Sequence, residues 1–188
     1  MSLLFFKRVL ANPLQVGYIV PSSPFLTRQT SRRLDFSKPR VVVELGPGEG
    51  CHTRKIVKRM DKNSRLFAFE LDEEFVAHLR KQFAHDPRVT ILHRNATEMP
   101  DVLAEHGITH CDYIVSGLPF LVIPEEARGK LLGSISDAMH EESRFITYQV
   151  TTQLCDESHL FELHEKEYCA LNVPPINVLE FKKAQAAR

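Results

Sequence analysis

From Arg40 onward the chain alternates short apolar, β-branched runs with longer amphipathic stretches. Val41–Leu45, Leu66–Glu70, Val89–Leu92, Tyr113–Ser116 and Phe145–Val150 are apolar almost throughout. Such runs predict strands buried on both faces, which is the environment of a parallel sheet. Between them, "DEEFVAHLRKQF" opens with acids and repeats Phe75, Leu79 and Phe83 at helical spacing, so a helix is predicted there. Repeated strand–helix units imply helices on both faces of the sheet. The end breaks this rhythm. "KEYCALNVPPINVLEFKK" reads as two strands around a Pro-Pro turn, with no room for a helix. The five parallel runs and this antiparallel pair make a seven-stranded, mostly parallel α/β sheet with a C-terminal hairpin on its edge.

Two segments precede the sheet. Ser2 to Asn12 can form a helix with Leu3, Phe5, Phe6, Val9 and Leu10 on one side and Lys7, Arg8 and Asn12 on the other. Pro13 disfavours its continuation. A second helix is predicted from "PSSPFL", with Ser23 as N-cap and Pro24 at the first helical position, ending near Leu34. The organisation is thus an N-terminal helical segment over 1–39 and an α/β domain over 40–188.

Composition narrows the setting. A chain of 188 residues can bury one sizeable core. Lysine plus arginine, 24, equal aspartate plus glutamate, 24, so no global basic field attracts nucleic acid, which is disfavoured as a partner. Cys51, Cys111, Cys155 and Cys169 form no CxxC pair, which suits free thiols in a reducing, cytoplasmic setting. No apolar run approaches the roughly 20 residues of a membrane span. The apolar N-terminus lacks a small-residue cleavage site and reads as mature protein. Oligomeric state is not legible.

The chemistry centres on "VVVELGPGEG", which ends the first strand. Glycines let a backbone approach a ligand closely. The spacing is GxGxG with Glu44 two residues ahead, not the GxGxxG of a dinucleotide turn, and no Gly-Lys-Ser/Thr ending marks a phosphate loop. Glu44 and Glu49 would repel pyrophosphate and suit a cationic ligand. S-adenosylmethionine carries an ammonium and a sulfonium. Glu70 ends the next strand about 20 residues on, where an acid can take ribose hydroxyls. The alternative, less favoured, is a solvated helix-start acid like Asp72 and Glu73. Asn95 follows the third strand beside Ala96, and offers donor and acceptor to an adenine edge or caps the next helix, or both. "SGLPF" follows the fourth. Four candidate positions at successive strand ends favour S-adenosylmethionine over NAD.

These features resemble the class I S-adenosylmethionine-dependent methyltransferases, whose fold is Rossmann-like. "NPLQVGYIVPSSPFL", "DYIVSGLPF" and "LNVPPINVLEF" are similar to the bacterial phospholipid N-methyltransferases, relatives of the rRNA adenine dimethylases. The resemblance implies a cofactor site of Glu44, Gly46, Pro47, Gly48, Gly50, Glu70, Leu71, Asn95, Ala96 and Ser116. It implies a substrate side of Tyr18, Gly117, Leu118 and Pro119. Two departures lie on that side: Tyr18 replaces a small residue, and "ITYQVTTQL" follows the pattern loosely.

On this reading an amine such as that of phosphatidylethanolamine attacks the sulfonium methyl in line, and the protein aligns the two. Ser116 and the "SGLP" carbonyls are candidates to orient the amine, and Tyr148 to accept or relay a proton. The same Tyr148 reads equally as a half-buried strand aromatic. The N-terminal helix, with Lys7 and Arg8 beside its apolar side, suits a peripheral contact with a phospholipid surface. "SGLPF" departs from the Asn-Pro-Pro-Tyr/Phe strand end used on flipped adenine, which weighs against RNA. An acceptor that is a small soluble amine stays open, as does a non-catalytic, cofactor-binding membrane module. Cys155, His159, His164 and Cys169 match no zinc spacing. Their histidines read as a polar helix face, so no metal is expected.

Overall fold

The computed structural model describes residues 22–152, 154 and 159–185. The predicted helix over Ser2–Asn12, and Tyr18 and Cys155, lie outside them. The first described helix, α1 (Pro24–Ser31), starts as its sequence dictates: Ser23 Oγ accepts the Leu26 amide and Pro24 opens the first turn. It ends a turn before Leu34, because Arg33 and Leu34 bond three residues back and close the chain.

The sheet comprises β1 (Val41–Leu45), β2 (Arg65–Glu70), β3 (Val89–His93), β4 (Cys111–Ser116), β5 (Met139–Gln149), β6 (Phe161–Cys169) and β7 (Ile176–Lys183). Its order is β3-β2-β1-β4-β5-β7-β6. The first five strands pair parallel, and β7 joins β5 and β6 antiparallel, as the Pro-Pro turn predicted. Strand β5 begins at Met139 rather than Phe145. Its first half holds exposed Glu141 and Glu142, so no apolar run marked it. Strand β6 covers His164, correcting the helix-face reading of that segment.

Alternate residues of β1 feed two cores. Val43 and Leu45 pack with Phe67, Phe69, Ile114 and Phe145 under α4 (Met99–Glu105) and α5 (Glu125–Asp137). Val42 packs with Leu26, Leu34, Ile56 and Val115 on the side of α1 and α2 (Cys51–Val57). Helix α1 therefore packs against this face of the sheet. Helix α3 (Glu73–Gln82) is capped by Asp72 and buries Val76 and Leu79, with Phe83 packed beside them. Its inward face thus uses Val76, not Phe75. Among the described residues no helix is long and apolar enough to cross a membrane.

One ionic network ties α1 to the sheet edge. Arg33, its side chain 3% exposed, meets Glu165, Glu167 and Glu180 at 2.6, 3.0 and 2.9 Å. Burial alone would lower the guanidinium's pKa, but Glu180 and Glu165 hold it above its ordinary value.

Candidate active site

The C-terminal ends of β1, β2, β3 and β4 converge, as ligand-binding ends do in open α/β sheets. Gly46, Gly48 and Gly50 all take positive φ, of 69°, 54° and 76°. At Gly48 a Cβ would enter open space, so the turn there presents bare backbone outward. Glu70 Oε2 accepts the Gly48 amide at 3.0 Å, and its Oε1 accepts the amides of Leu71 and Asp72. Asp72, not Glu70, is the helix-start acid. A carboxylate has about four lone-pair sites, so Glu70 keeps capacity for ribose hydroxyls while it shapes the turn.

A cleft of ≈ 470 Å³, within the usual size of small-molecule sites, lies against these ends. It brings together Gly46, Glu70, Leu71, Asn95, Ala96, Leu118 and Pro119 from the sequence reading. Leu71, 63% exposed, gives it an apolar lip. Asn95 Oδ1 accepts from the Thr97 amide and hydroxyl and completes a capping box with Glu98. Its oxygen is committed, so only its amide donor faces a ligand, which corrects the donor-and-acceptor reading. Helix α5 adds Ala127, Lys130 and Leu131, which the sequence did not reveal as lining. The signal that could have found them was the helix following the fourth ligand-side strand.

Other expected residues lie behind the cleft. Ser116 is fully buried; its Oγ accepts the Leu118 amide and its carbonyl accepts the Thr147 hydroxyl. It builds the turn after β4, which corrects its reading as an amine-orienting group. The Leu118 carbonyl is taken by Gln149 Nε2. Gly117 lets two protein groups close together. A Cβ there would collide with the Tyr148 hydroxyl and lie 3.0 Å from the Gly46 carbonyl. Tyr148 thus reaches the strand end, but burial, reinforced by the Glu44 charge, holds its phenol well above its ordinary pKa. It keeps its proton, with Ser22 hydrogen-bonded to it, so the structure does not favour a relay role and makes Tyr148 a wall at the strand end.

Glu44 and His52 carry the strongest electrostatic perturbations beside the turn. Burial pushes the Glu44 carboxyl up to about 7, with Glu70 adding and Thr53 opposing. Burial pushes His52 down to about 3, so its ring is neutral. Glu44 Oε2 has no hydrogen-bond partner in the protein. Thr53 lies near enough to oppose the Glu44 shift, yet its hydroxyl makes no hydrogen bond of good geometry. A buried acid with one unpaired oxygen, beside a backbone-lined turn, fits a cationic ligand: Glu44 and the glycine turn would hold the methionine end of S-adenosylmethionine, and Glu70, Leu71, Asn95 and Ala96 its adenosine. Among the described residues no group of three or more His, Cys, Asp or Glu side chains could hold a metal ion.

This fold and this site define a class I S-adenosylmethionine-dependent methyltransferase. The chain belongs to the ribosomal RNA adenine dimethylase family, whose model matches residues 22–174. It is 30% identical over 142 residues to an ornithine lipid N-methyltransferase of Singulisphaera acidiphila, covering 76% of this chain and 74% of that one. It is 27% identical over 130 residues to the ribosomal RNA small subunit methyltransferase A of Mycoplasma capricolum, covering 67% of this chain but 46% of the relative. Among solved structures, the 1,6-didemethyltoxoflavin-N1-methyltransferase of Burkholderia thailandensis, with S-adenosylhomocysteine bound, aligns with a TM-score of 0.69 at 16% identity. That alignment covers 98% of this chain and 92% of that one. A methyltransferase of Aquifex aeolicus gives 0.67 at 11% identity, covering 97% and 99%.

Proposed function

We propose that this methyltransferase N-methylates the amine of a lipid head group. The observation that carries the reading is the match to the ornithine lipid N-methyltransferase, which extends over three quarters of each chain. The balanced charge and the Ser-Gly-Leu-Pro strand end support it against an RNA acceptor. Bound S-adenosylmethionine supplies an activated methyl on its sulfonium. The chain's residues do the rest by binding and alignment. Gly117, bare of a side chain, lets the Tyr148 hydroxyl and the Gly46 carbonyl close together at the ends of β1 and β4, and the amine would approach past Leu118 and Pro119, which line the cleft. Desolvation there favours the neutral, nucleophilic amine over its ammonium. We also place the protein at the cytoplasmic membrane surface, with Ser2–Asn12 as its contact: Phe5 and Phe6 for the apolar layer, Lys7 and Arg8 for anionic head groups.

The test is transfer of labelled methyl from S-adenosylmethionine to liposomes containing ornithine lipid or phosphatidylethanolamine, beside RNA fragments and soluble amines under equal conditions. Label is expected in lipid, rising with pH as more amine is neutral. Liposome binding should weaken with salt and with Phe5→Asp/Phe6→Asp. Label confined to RNA would reject the lipid acceptor and leave the methyltransferase assignment intact.

A further inference from the structure

On the α2 side of the glycine turn lies a group of polar atoms that the adenosine cleft does not use. Both ring nitrogens of His52 are buried with no hydrogen-bond partner, and beside them Glu44 Oε2 and Thr53 Oγ1 make no hydrogen bond of good geometry, although Thr53 lies close enough to act on Glu44. His52 is 3% exposed and Thr53 fully buried. Native interiors satisfy nearly all such atoms, and each exception asks for an explanation. Here several meet at one place, the ligand-binding end of β1 and the first turn of α2.

Tyr148 closes the group from the far side. Its ring stacks on His52 with centroids 4.5 Å apart and planes 10° apart, and its hydroxyl reaches Gly117. The imidazole is thereby fixed against Tyr148 in the first turn of α2, beside the end of β1. Fixing a ring costs side-chain entropy, and apolar residues would pack this place without orphaned atoms. The polar residues present are better explained by what they can bind.

The donor and acceptor inventory selects the ligand. An ammonium beside Glu44 would favour its carboxylate form, which only accepts; a neutral imidazole has one acceptor and one donor nitrogen, and a threonine hydroxyl does either. With Glu70 nearby as a second acid, the place repels anions and offers more acceptors than donors. An aliphatic amine or ammonium, rich in N–H donors, satisfies it. We propose that His52 is an amine-binding residue, whose unpaired ring nitrogen accepts an N–H from an aliphatic amine seated between the glycine turn and Tyr148, with Glu44 and Thr53 as its companions. Two sources carry that chemistry: the amino-acid end of the cofactor, and the head-group amine of the acceptor. The second source rests on the lipid reading above; the first does not.

His52→Phe keeps a flat ring against Tyr148 and removes both nitrogens. Calorimetry would compare S-adenosylhomocysteine with 5′-methylthioadenosine, which shares the adenosine and thioether but lacks the amino acid. If the amine is the cofactor's, affinity for S-adenosylhomocysteine falls about tenfold while that for methylthioadenosine holds. If it is the acceptor's, both affinities hold and KM for the lipid amine rises about tenfold with kcat little changed. In either case the ligand-free variant should melt higher than wild type, because an apolar ring replaces unpaired buried nitrogens. Equal loss of both nucleosides would make His52 a packing residue and overturn the proposal. So would no change in either affinity together with an unchanged KM, or with no lipid accepting methyl at all. Thr53→Val, judged on the same readouts, carries the test should His52→Phe fail to fold.

Discussion

Glu70 holds Gly48. One carboxylate oxygen at the end of β2 accepts the amide at the crest of the glycine turn at 3.0 Å, while the other secures the start of the next loop. The residue that sequence alone assigns to the ribose is therefore also a strut of the turn that receives the cofactor. Removing it should weaken the site twice over.

Glu70→Ala is expected to lower S-adenosylhomocysteine affinity by about 1–3 kcal/mol, the scale of charge-assisted hydrogen bonds lost or left unpaired. Titration calorimetry measures this directly. An unchanged affinity would remove Glu70 from the cofactor site, whatever its effect on melting temperature.

Gly48→Val separates backbone approach from packing. The added side chain meets no protein atom, yet φ of 54° strains a β-branched residue. The strain costs ~1–2 kcal/mol, so the fold should survive by circular dichroism. Cofactor binding should not, because the side chain occupies the ligand's face of the turn. Normal binding by this variant would show that the cofactor lies elsewhere.

The perturbed pair beside the turn predicts opposite pH slopes. Glu44 keeps its proton up to about 7 in the fold and loses it near 4.5 when unfolded, so its contribution to stability declines as pH rises between those values. His52 stays neutral down to about 3 in the fold but takes a proton near 6.5 when unfolded, so its contribution rises with pH over that span. Between 4.5 and 6.5 the two cancel. Urea melts of ligand-free protein should show Glu44→Gln gaining on wild type as pH climbs from 4.5 to 7, by ~3 kcal/mol at most. The advantage of His52→Phe should instead be largest at low pH and fade toward 6.5. Parallel profiles for all three proteins would refute the buried pair.

Arg33→Ala tests the network that seats α1. It strands Glu180, whose side chain is 8% exposed, with Arg144 as its remaining cation at 3.5 Å. Breaking a buried pair from one side costs about 3–5 kcal/mol, to be read as a lower urea midpoint. Replacing Arg33 and Glu180 together by apolar residues should recover part of the loss.

Much of this was written locally in the chain. The β-branched run Val41–Leu45 is a strand to the residue, the Ser23-Pro24 start caps α1, and the Pro-Pro turn joins β6 to β7. Those features depend on neighbours a few positions away, whose periodicity and backbone preferences sequence states openly. The glycine spacing and its acid named the ligand for the same reason. What sequence left open depends on atoms from distant segments. Ser116 reads as a site residue until it is seen fully buried, its hydroxyl oxygen accepting from Leu118 and its carbonyl from Thr147. Asn95 reads as donor and acceptor to adenine until the capping box claims its oxygen and leaves the amide nitrogen. His52 carries no signal in "GEGCHTRK"; its significance arises because Tyr148, from a strand almost a hundred residues later, folds against it and both ring nitrogens remain unpaired. Local pattern determines which residues enter the interior. Only tertiary packing decides which of their polar atoms find partners there, because hydrogen-bond satisfaction is settled across the sheet rather than along the chain.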